Sequence, residues 1–246
     1  MRAALLAIAC AVAAAKPSKT SMKVRLRYFD ARGAAELSRV MLKYASVDFE
    51  DERWAIKEPG MKAPGFHAAR GEGGLAANLG RAPVLDAGEN TIGKSRAIER
   101  YVARTYGLMG GGDEVGAARV DAFAENCRDV ASAKRDKGFH AFSAKDDAGK
   151  QAARAEWYAE DLPAWLAKLE EACDGAVEGF SVGETRSYGD FALWSLLADA
   201  VRGDADDAAA TAVALAMTPK LAAVVCAVEG DARVAAWVAD RPETRF

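Results

Sequence analysis

Strand signals stop before the middle of this chain. Up to Tyr106 the sequence alternates between strand and helix periods, and past the run GLMGGG at residues 107–112 only helical stretches follow. A chain divided in this way predicts a mixed α/β half followed by an all-helical half, and 246 residues give length for both. Hydrophobic residues make up 51% of the sequence, much of that alanine, the strongest helix former. That apolar share excludes a disordered chain, which lacks the surface to offset its ordering entropy.

Within the first half, residues 23–29 (KVRLRYF) place Val24, Leu26 and Tyr28 on one face and Arg25, Arg27 and Phe29 on the other, a strand period. Asp30 to Gly33 reads as a turn. Residues 35–45 then put Leu37, Val40, Met41 and Tyr44 on one helical face, and residues 47–54 read as a second strand. The opening β-α-β requires a crossover and a parallel pair. Residues 55–80, rich in Gly, Pro and Ala, show no clean period and are long enough to hold a short helix. A strand restarts at Ala82-Pro83-Val84-Leu85, turns at Asp86 to Glu89, and closes a hairpin through Asn90 to Ile92 before a helix over residues 95–106. In the second half, helices are expected over 114–134 and 152–173, after Ser187 (a capping-box pattern with Asp190), from Pro219, and from Asp231 to Asp240.

Several chemistries are excluded. Net charge is −3 and no Lys/Arg cluster is dense enough for a nucleic-acid footprint. Four cysteines (Cys10, Cys127, Cys173, Cys226) form no C-x-x-C pair, and His67 and His140 are the only histidines. That argues against a metal centre, a Ser-His-Asp triad and a thioredoxin-type dithiol. Residues 1–15 (MRAALLAIACAVAAA) read as a signal peptide cleaved near Ala15, giving a secretory or extracellular protein if used and a cytoplasmic one otherwise. An Ala-rich helix, or a start at Met22, is the alternative. The run is short for a membrane span, and no other segment reaches that length.

Six motifs in order resemble the glutathione S-transferases, the sigma-like group most closely: Tyr28-Phe29; Arg32-Gly33-x-Ala35-Glu36; Ala82-Pro83-Val84-Leu85; Ile92-Gly93-x-Ser95-x-Ala97-Ile98-x-Arg100-Tyr101; Ser187 to Ala192; and the tail Val234 to Trp237 through Arg241-Pro242. The resemblance spans residues 22–246. It implies a thioredoxin-like glutathione-binding domain (βαβ-ββα, residues 22–106) and an all-helical C-terminal domain (residues 113–246). It also implies glutathione as cosubstrate, no metal, an electrophilic small-molecule acceptor and a homodimer.

The resemblance also assigns residues. Tyr28, at the C-terminal edge of the first strand, would donate its hydroxyl to the glutathione sulfur. A free thiol ionises near 8.5, and each unit of lowering needs about 1.4 kcal/mol. Outside the motif Tyr28 is a half-buried sheet tyrosine. Pro83 would be cis, turning Ala82 and Val84 so that their main chain meets the tripeptide; otherwise it is an ordinary strand-start proline. Lys94 and Ser95 begin a helix whose free amides suit the γ-glutamyl carboxylate, although Ser95 alone also reads as an N-cap. Asp129 would reach the glutathione of a partner subunit, or is a solvated helix carboxylate. Trp54 and Lys62 would contact the glycine end, or are a half-buried aromatic and a surface charge.

Two positions depart from the family pattern. Ala34 replaces an arginine that packs by the tyrosine, which should weaken thiolate stabilisation, and Lys94 replaces a glutamine. These departures support a rival reading as a non-catalytic ligand carrier, against which Tyr28, Pro83 and Ser95 all count. Prostaglandin-type isomerisation or peroxide reduction by the same thiolate stay open as enzyme alternatives.

Overall fold

A computed structural model describes residues 23–57, 59–175 and 178–244. The expected signal peptide and Cys10 lie outside the described residues. Four strands form one sheet in the order β2-β1-β3-β4: β1 Val24–Phe29, β2 Phe49–Trp54, β3 Val84–Ala87 and β4 Asn90–Gly93. β1 and β2 are parallel, with Tyr28 beside Arg53, and β3 runs antiparallel to both β1 and β4. The expected βαβ-ββα order is the observed one.

The alternation in β1 explains how the sheet is covered. Val24 and Leu26 are buried in the main core beneath α1 (Glu36–Tyr44) and α3 (Ser95–Thr105). On the opposite face Phe29 packs on a smaller cluster of Trp54, Leu75 and Val84. The segment 55–80, expected to hold a short helix, holds α2 (Pro64–Gly71) and a single 3-10 turn at Ala76–Asn78. α2 begins at Pro64, where a missing N–H costs nothing because the first helical amides have no partner within the helix.

Seven further helical segments complete the described fold: α4 Glu114–Lys137, α5 Asp147–Glu156, α6 Leu162–Ala172, α7 Tyr188–Leu197, α8 Ala205–Leu215, α9 Pro219–Glu229 and α10 Ala232–Asp240. The helix expected over 152–173 begins earlier, and a π turn at Trp157–Asp161 joins α5 to α6. Pro163 has no N–H for the Ala159 carbonyl, and the widened turn sits where that bond is lost. α8 was not expected. Its alanine-rich sequence carries little period, and the signal it does carry is the Asp204 cap, whose carboxylate accepts from the Asp206 and Asp207 amides.

Three features order the helical half and join it to the sheet half. Asp190 accepts from the Ser187 amide at 2.7 Å and from the Ser181 amide and hydroxyl, each at 2.6 Å, which is the carboxylate side of the expected capping box. The 107–112 run docks against the fold, with Leu108 buried and its carbonyl accepting from the Tyr188 amide. A single buried cluster then runs from Val24 and Leu26 through α1, α3, α4, α6 and α7 to Val234. The two halves therefore share one core. Helix α1 was expected to bury one stripe, but residues 38–42 are all buried, because α7 and α10 cover the side that the sheet leaves open.

Candidate active site

Tyr28 is next to last in β1, with its ring half-buried against the main cluster. Its hydroxyl accepts a hydrogen bond from the Ala34 amide at 3.3 Å. A hydroxyl has one proton and two lone pairs. Accepting from Ala34 leaves the Tyr28 proton free to be donated elsewhere, and polarises that O–H as it does so. Gly33 makes this possible. Its φ is +41°, and a Cβ there would stand 2.8 Å from the Tyr28 hydroxyl oxygen, so a side chain at 33 would collide with the reactive atom.

The loop between β1 and α1 is held from below by Arg39, which is fully buried. Its Nη1 donates to the Ala31 carbonyl at 2.7 Å, the Arg32 carbonyl at 3.4 Å and Glu36 Oε2 at 3.2 Å, and its Nε donates to Asp51 at 3.0 Å. The Arg39 guanidinium carbon lies 5.9 Å from the centre of the Tyr28 ring, within cation–π range. The arginine missing at position 34 therefore does not leave the tyrosine without a cation. Position 34 contributes its amide, and Arg39 supplies positive charge from one turn further along the helix. Sequence reasoning passed over Arg39, although its place three residues after Glu36 was a signal for an i,i+3 pair.

Pro83 is cis, as the resemblance implied. Its carbonyl accepts from Asn78 Nδ2 at 2.9 Å, tying the turn to the preceding loop. Val84, expected to offer its main chain to the tripeptide, begins β3. It lies opposite Arg27 on one side and Gly93 on the other, so sheet pairing takes its N–H and C=O. The main chain beside the cis bond and outside the ladder is that of Ala82, which is half-buried.

Lys94 is the N-cap of α3, so Ser95 is the first helical residue rather than the cap. Lys94 has φ +70°, a left-handed conformation that costs a side-chain-bearing residue about 1–3 kcal/mol and clusters at functional sites. The Lys94 side chain is exposed and Ser95 half-buried at the helix end. There the first amides of the helix have no partner within it, and the dipole is positive.

Trp54, expected near the glycine end of glutathione or as a half-buried aromatic, lies in the smaller cluster. It is 5% exposed, packed against Phe29 and Phe66, and its Nε1 donates to Glu52 at 2.8 Å. It is a core residue because α2 folds over the end of β2, a contact no local pattern in the sequence announces. Lys62 pairs main chain to main chain with Lys57 and leaves its side chain exposed. Asp129 is exposed on α4. The structure thus sets Tyr28 on β1, Ala82 and Pro83 just before β3, and Lys94 and Ser95 at the start of α3, and leaves Trp54 in the core.

The tail closes this region. Glu36 Oε1 accepts from Trp237 Nε1 at 2.9 Å and from Arg241 Nη1 at 2.8 Å, while Arg241 Nη2 reaches Asp199 at 2.5 Å. Burial works against the Arg241 charge, but Asp199 and Glu36 outweigh it and hold the guanidinium above its ordinary value. Arg32, Arg202, Arg241, Val238 and Pro242 line a cleft of about 330 Å³ between the loop after β1 and the tail. Among the described residues no group of His, Cys, Asp and Glu is arranged to hold a metal ion.

Comparison with known proteins agrees with this geometry. Residues 24–104 match the family model of the glutathione S-transferase N-terminal domain, and residues 134–241 match that of its C-terminal domain. The chain is 25% identical over 222 residues to glutathione S-transferase 3 of Caenorhabditis elegans, covering 90% of this chain and 98% of that protein. It is 27% identical over 225 residues to hematopoietic prostaglandin D synthase of Gallus gallus, covering 89% and 97%. The solved Pi-class glutathione S-transferase of Onchocerca volvulus superposes with a TM-score of 0.69 at 25% identity, covering 89% of this chain and 94% of that one. With both halves matched in order, and relatives aligned over nearly their whole length, the chain belongs to the glutathione S-transferase family.

Proposed function

We propose that this protein is a glutathione transferase in which Tyr28 holds the glutathione sulfur as thiolate for attack on an electrophilic small molecule. The observation that carries the reading is the Tyr28 hydroxyl, which accepts the Ala34 amide at the one place where Gly33 leaves room for it. A hydrogen bond donated to a thiolate favours the charged form, so the thiol ionises nearer neutral pH and its attack on carbon becomes faster. The Ala82 main chain beside the cis proline pairs with the cysteinyl backbone as a short added strand. The amides that open α3, with Ser95 and the charge of Lys94, take the γ-glutamyl carboxylate. The acceptor sits toward the cleft between the loop after β1 and the tail.

The match to a prostaglandin D synthase gives a second reading for the same thiolate, isomerisation of a prostaglandin-type endoperoxide. Asp129, exposed on α4, serves the glutathione of a partner subunit in a homodimer. Residues 1–15 direct the chain to the secretory pathway, and the N-terminal sequence of the mature protein tests this. Glutathione conjugation of a chloronitrobenzene acceptor tests the central claim. The wild type should turn over, and Tyr28→Phe should lose tenfold or more in kcat, about 1.4 kcal/mol. A wild type that binds glutathione without turnover on this acceptor, and with no thiolate absorbance, would give the carrier reading instead.

A further inference from the structure

Two buried arginines connect the C-terminal helix to the reactive hydroxyl. Arg241 divides its two terminal nitrogens between Glu36 on α1 and Asp199 after α7, and its side chain is 6% exposed. Glu36, also secured by Trp237, passes the connection to Arg39 through its second oxygen at 3.2 Å. Arg39 ends it on the carbonyls of Ala31 and Arg32, the two residues before Gly33 and Ala34. Arg32 adds a parallel strut, donating to the Asp199 carbonyl at 3.0 Å. Every charged member of this chain is at least three-quarters buried, so removing Arg241 leaves Glu36 to Arg39 and Trp237, and Asp199 to Arg32 and Arg202, each buried carboxylate one partner short where lost pairing is costly. The loop after β1, held by Arg39 and Arg32, then carries the whole of that pairing.

We propose that Arg39 and Arg241 are positioning residues for Tyr28. Through Glu36, the tail fixes the loop that presents the Ala34 amide, and so sets how well the Tyr28 hydroxyl donates to the thiolate. Arg39 also bears directly on the ring. Its Nη2 makes no hydrogen bond among the described residues, and its charge stands over the aromatic face. The inference deepens the transferase reading and rests on it for its second readout only. A brace of purely structural value would change stability and leave the loop geometry and the thiolate alone.

Amide hydrogen exchange across residues 30–36, measured on the full unliganded chain, tests the connection without any catalysis. Arg241→Ala should speed exchange in that loop tenfold or more while α3 and α4 stay protected. Arg241→Lys, which reaches one carboxylate and not both, should fall between. In the glutathione complexes, the pH midpoint of the ultraviolet thiolate band should move up by about one unit in Arg241→Ala, a tenfold change, and by less in Arg241→Lys. Loop exchange unchanged in both variants overturns the proposal, and so does a loosened loop with an unmoved thiolate midpoint. If Arg241→Ala does not fold, Arg241→Lys decides. A wild type that shows no thiolate band refutes the transferase reading, and the exchange measurement still decides whether tail and loop are connected.

Discussion

Gly33→Ala is the sharpest test of how the site is built. The added Cβ would lie 2.8 Å from the Tyr28 hydroxyl oxygen and 3.1 Å from Cε1, and φ at this position is +41°. The backbone conformation adds roughly 1 kcal/mol of strain for any residue with a Cβ, which lowers Tm by about 2–4 °C in a chain of this size. Relieving the contact to an ordinary 3.4 Å displaces the hydroxyl or the loop by about 0.6 Å. Misplacement by 1 Å costs on the order of a hundredfold, so kcat/KM for conjugation should fall about 10–30-fold with the fold kept. The double variant isolates the cause. In a Tyr28→Phe background the oxygen is gone, and adding Gly33→Ala should cost less than about twofold. Activity of Gly33→Ala within twofold of wild type, or an equal loss in both backgrounds, would refute the argument that Gly33 exists to clear the hydroxyl.

Three further outcomes are expected. Trp54→Ala should destabilise the fold by about 3–5 kcal/mol, as removal of a buried indole does, while the protein still folded at low temperature binds glutathione within about threefold of wild type by calorimetry. A larger loss of affinity would restore Trp54 as a ligand residue. Lys94→Gln should flatten the salt dependence of the glutathione KM, because an exposed lysine acts on a carboxylate through a field that salt screens; identical salt slopes would remove the charge from the binding account. Asp204 and Asp231 cap α8 and α10, and both ionise below the ordinary 3.8, Asp204 chiefly through the Asp207 amide and Asp231 chiefly through the Arg233 side chain. Below 3.8 the unfolded chain therefore binds more protons than the native one, so this stabilisation is complete above that pH and is lost as pH falls toward the lower native values. The fall in Tm from pH 6 to pH 3.5 should shrink in Asp204→Asn/Asp231→Asn, and an unchanged fall would show that other carboxylates govern acid unfolding.

The legible parts of the fold were those with local causes. The alternation of Val24, Leu26 and Tyr28 placed β1, and the six ordered motifs placed Tyr28 on β1 and Ser95 on α3, while Ala82 and Pro83, expected to open a strand, stand just before β3. What the sequence hid depends on contacts between distant segments. Trp54 became core because α2 folds onto it, and the Val84 main chain is taken up because β1 pairs with β3. Helix α1 looks like a one-sided helix on its apolar positions alone. Its buried Glu36 and Arg39 make sense only once Trp237 and Arg241 arrive from some two hundred residues away. Helix α8 was missed because alanine gives propensity without period.

The core shared by the two halves has a consequence for cooperativity. Because one cluster runs from Val24 to Val234, each half draws most of its interior from the other, and the sheet half alone keeps only the small cluster of Trp54, Leu75 and Val84. Partial unfolding of the helical half strips the cover from α1, and α1 carries the Glu36 and Arg39 ends of the contacts that hold the Tyr28 loop. Melting is then one event, and the population able to activate a thiol equals the population that is folded. Temperature and denaturant titrate the activity of such a molecule along its global stability curve, with no interval in which a surviving glutathione-binding half works alone.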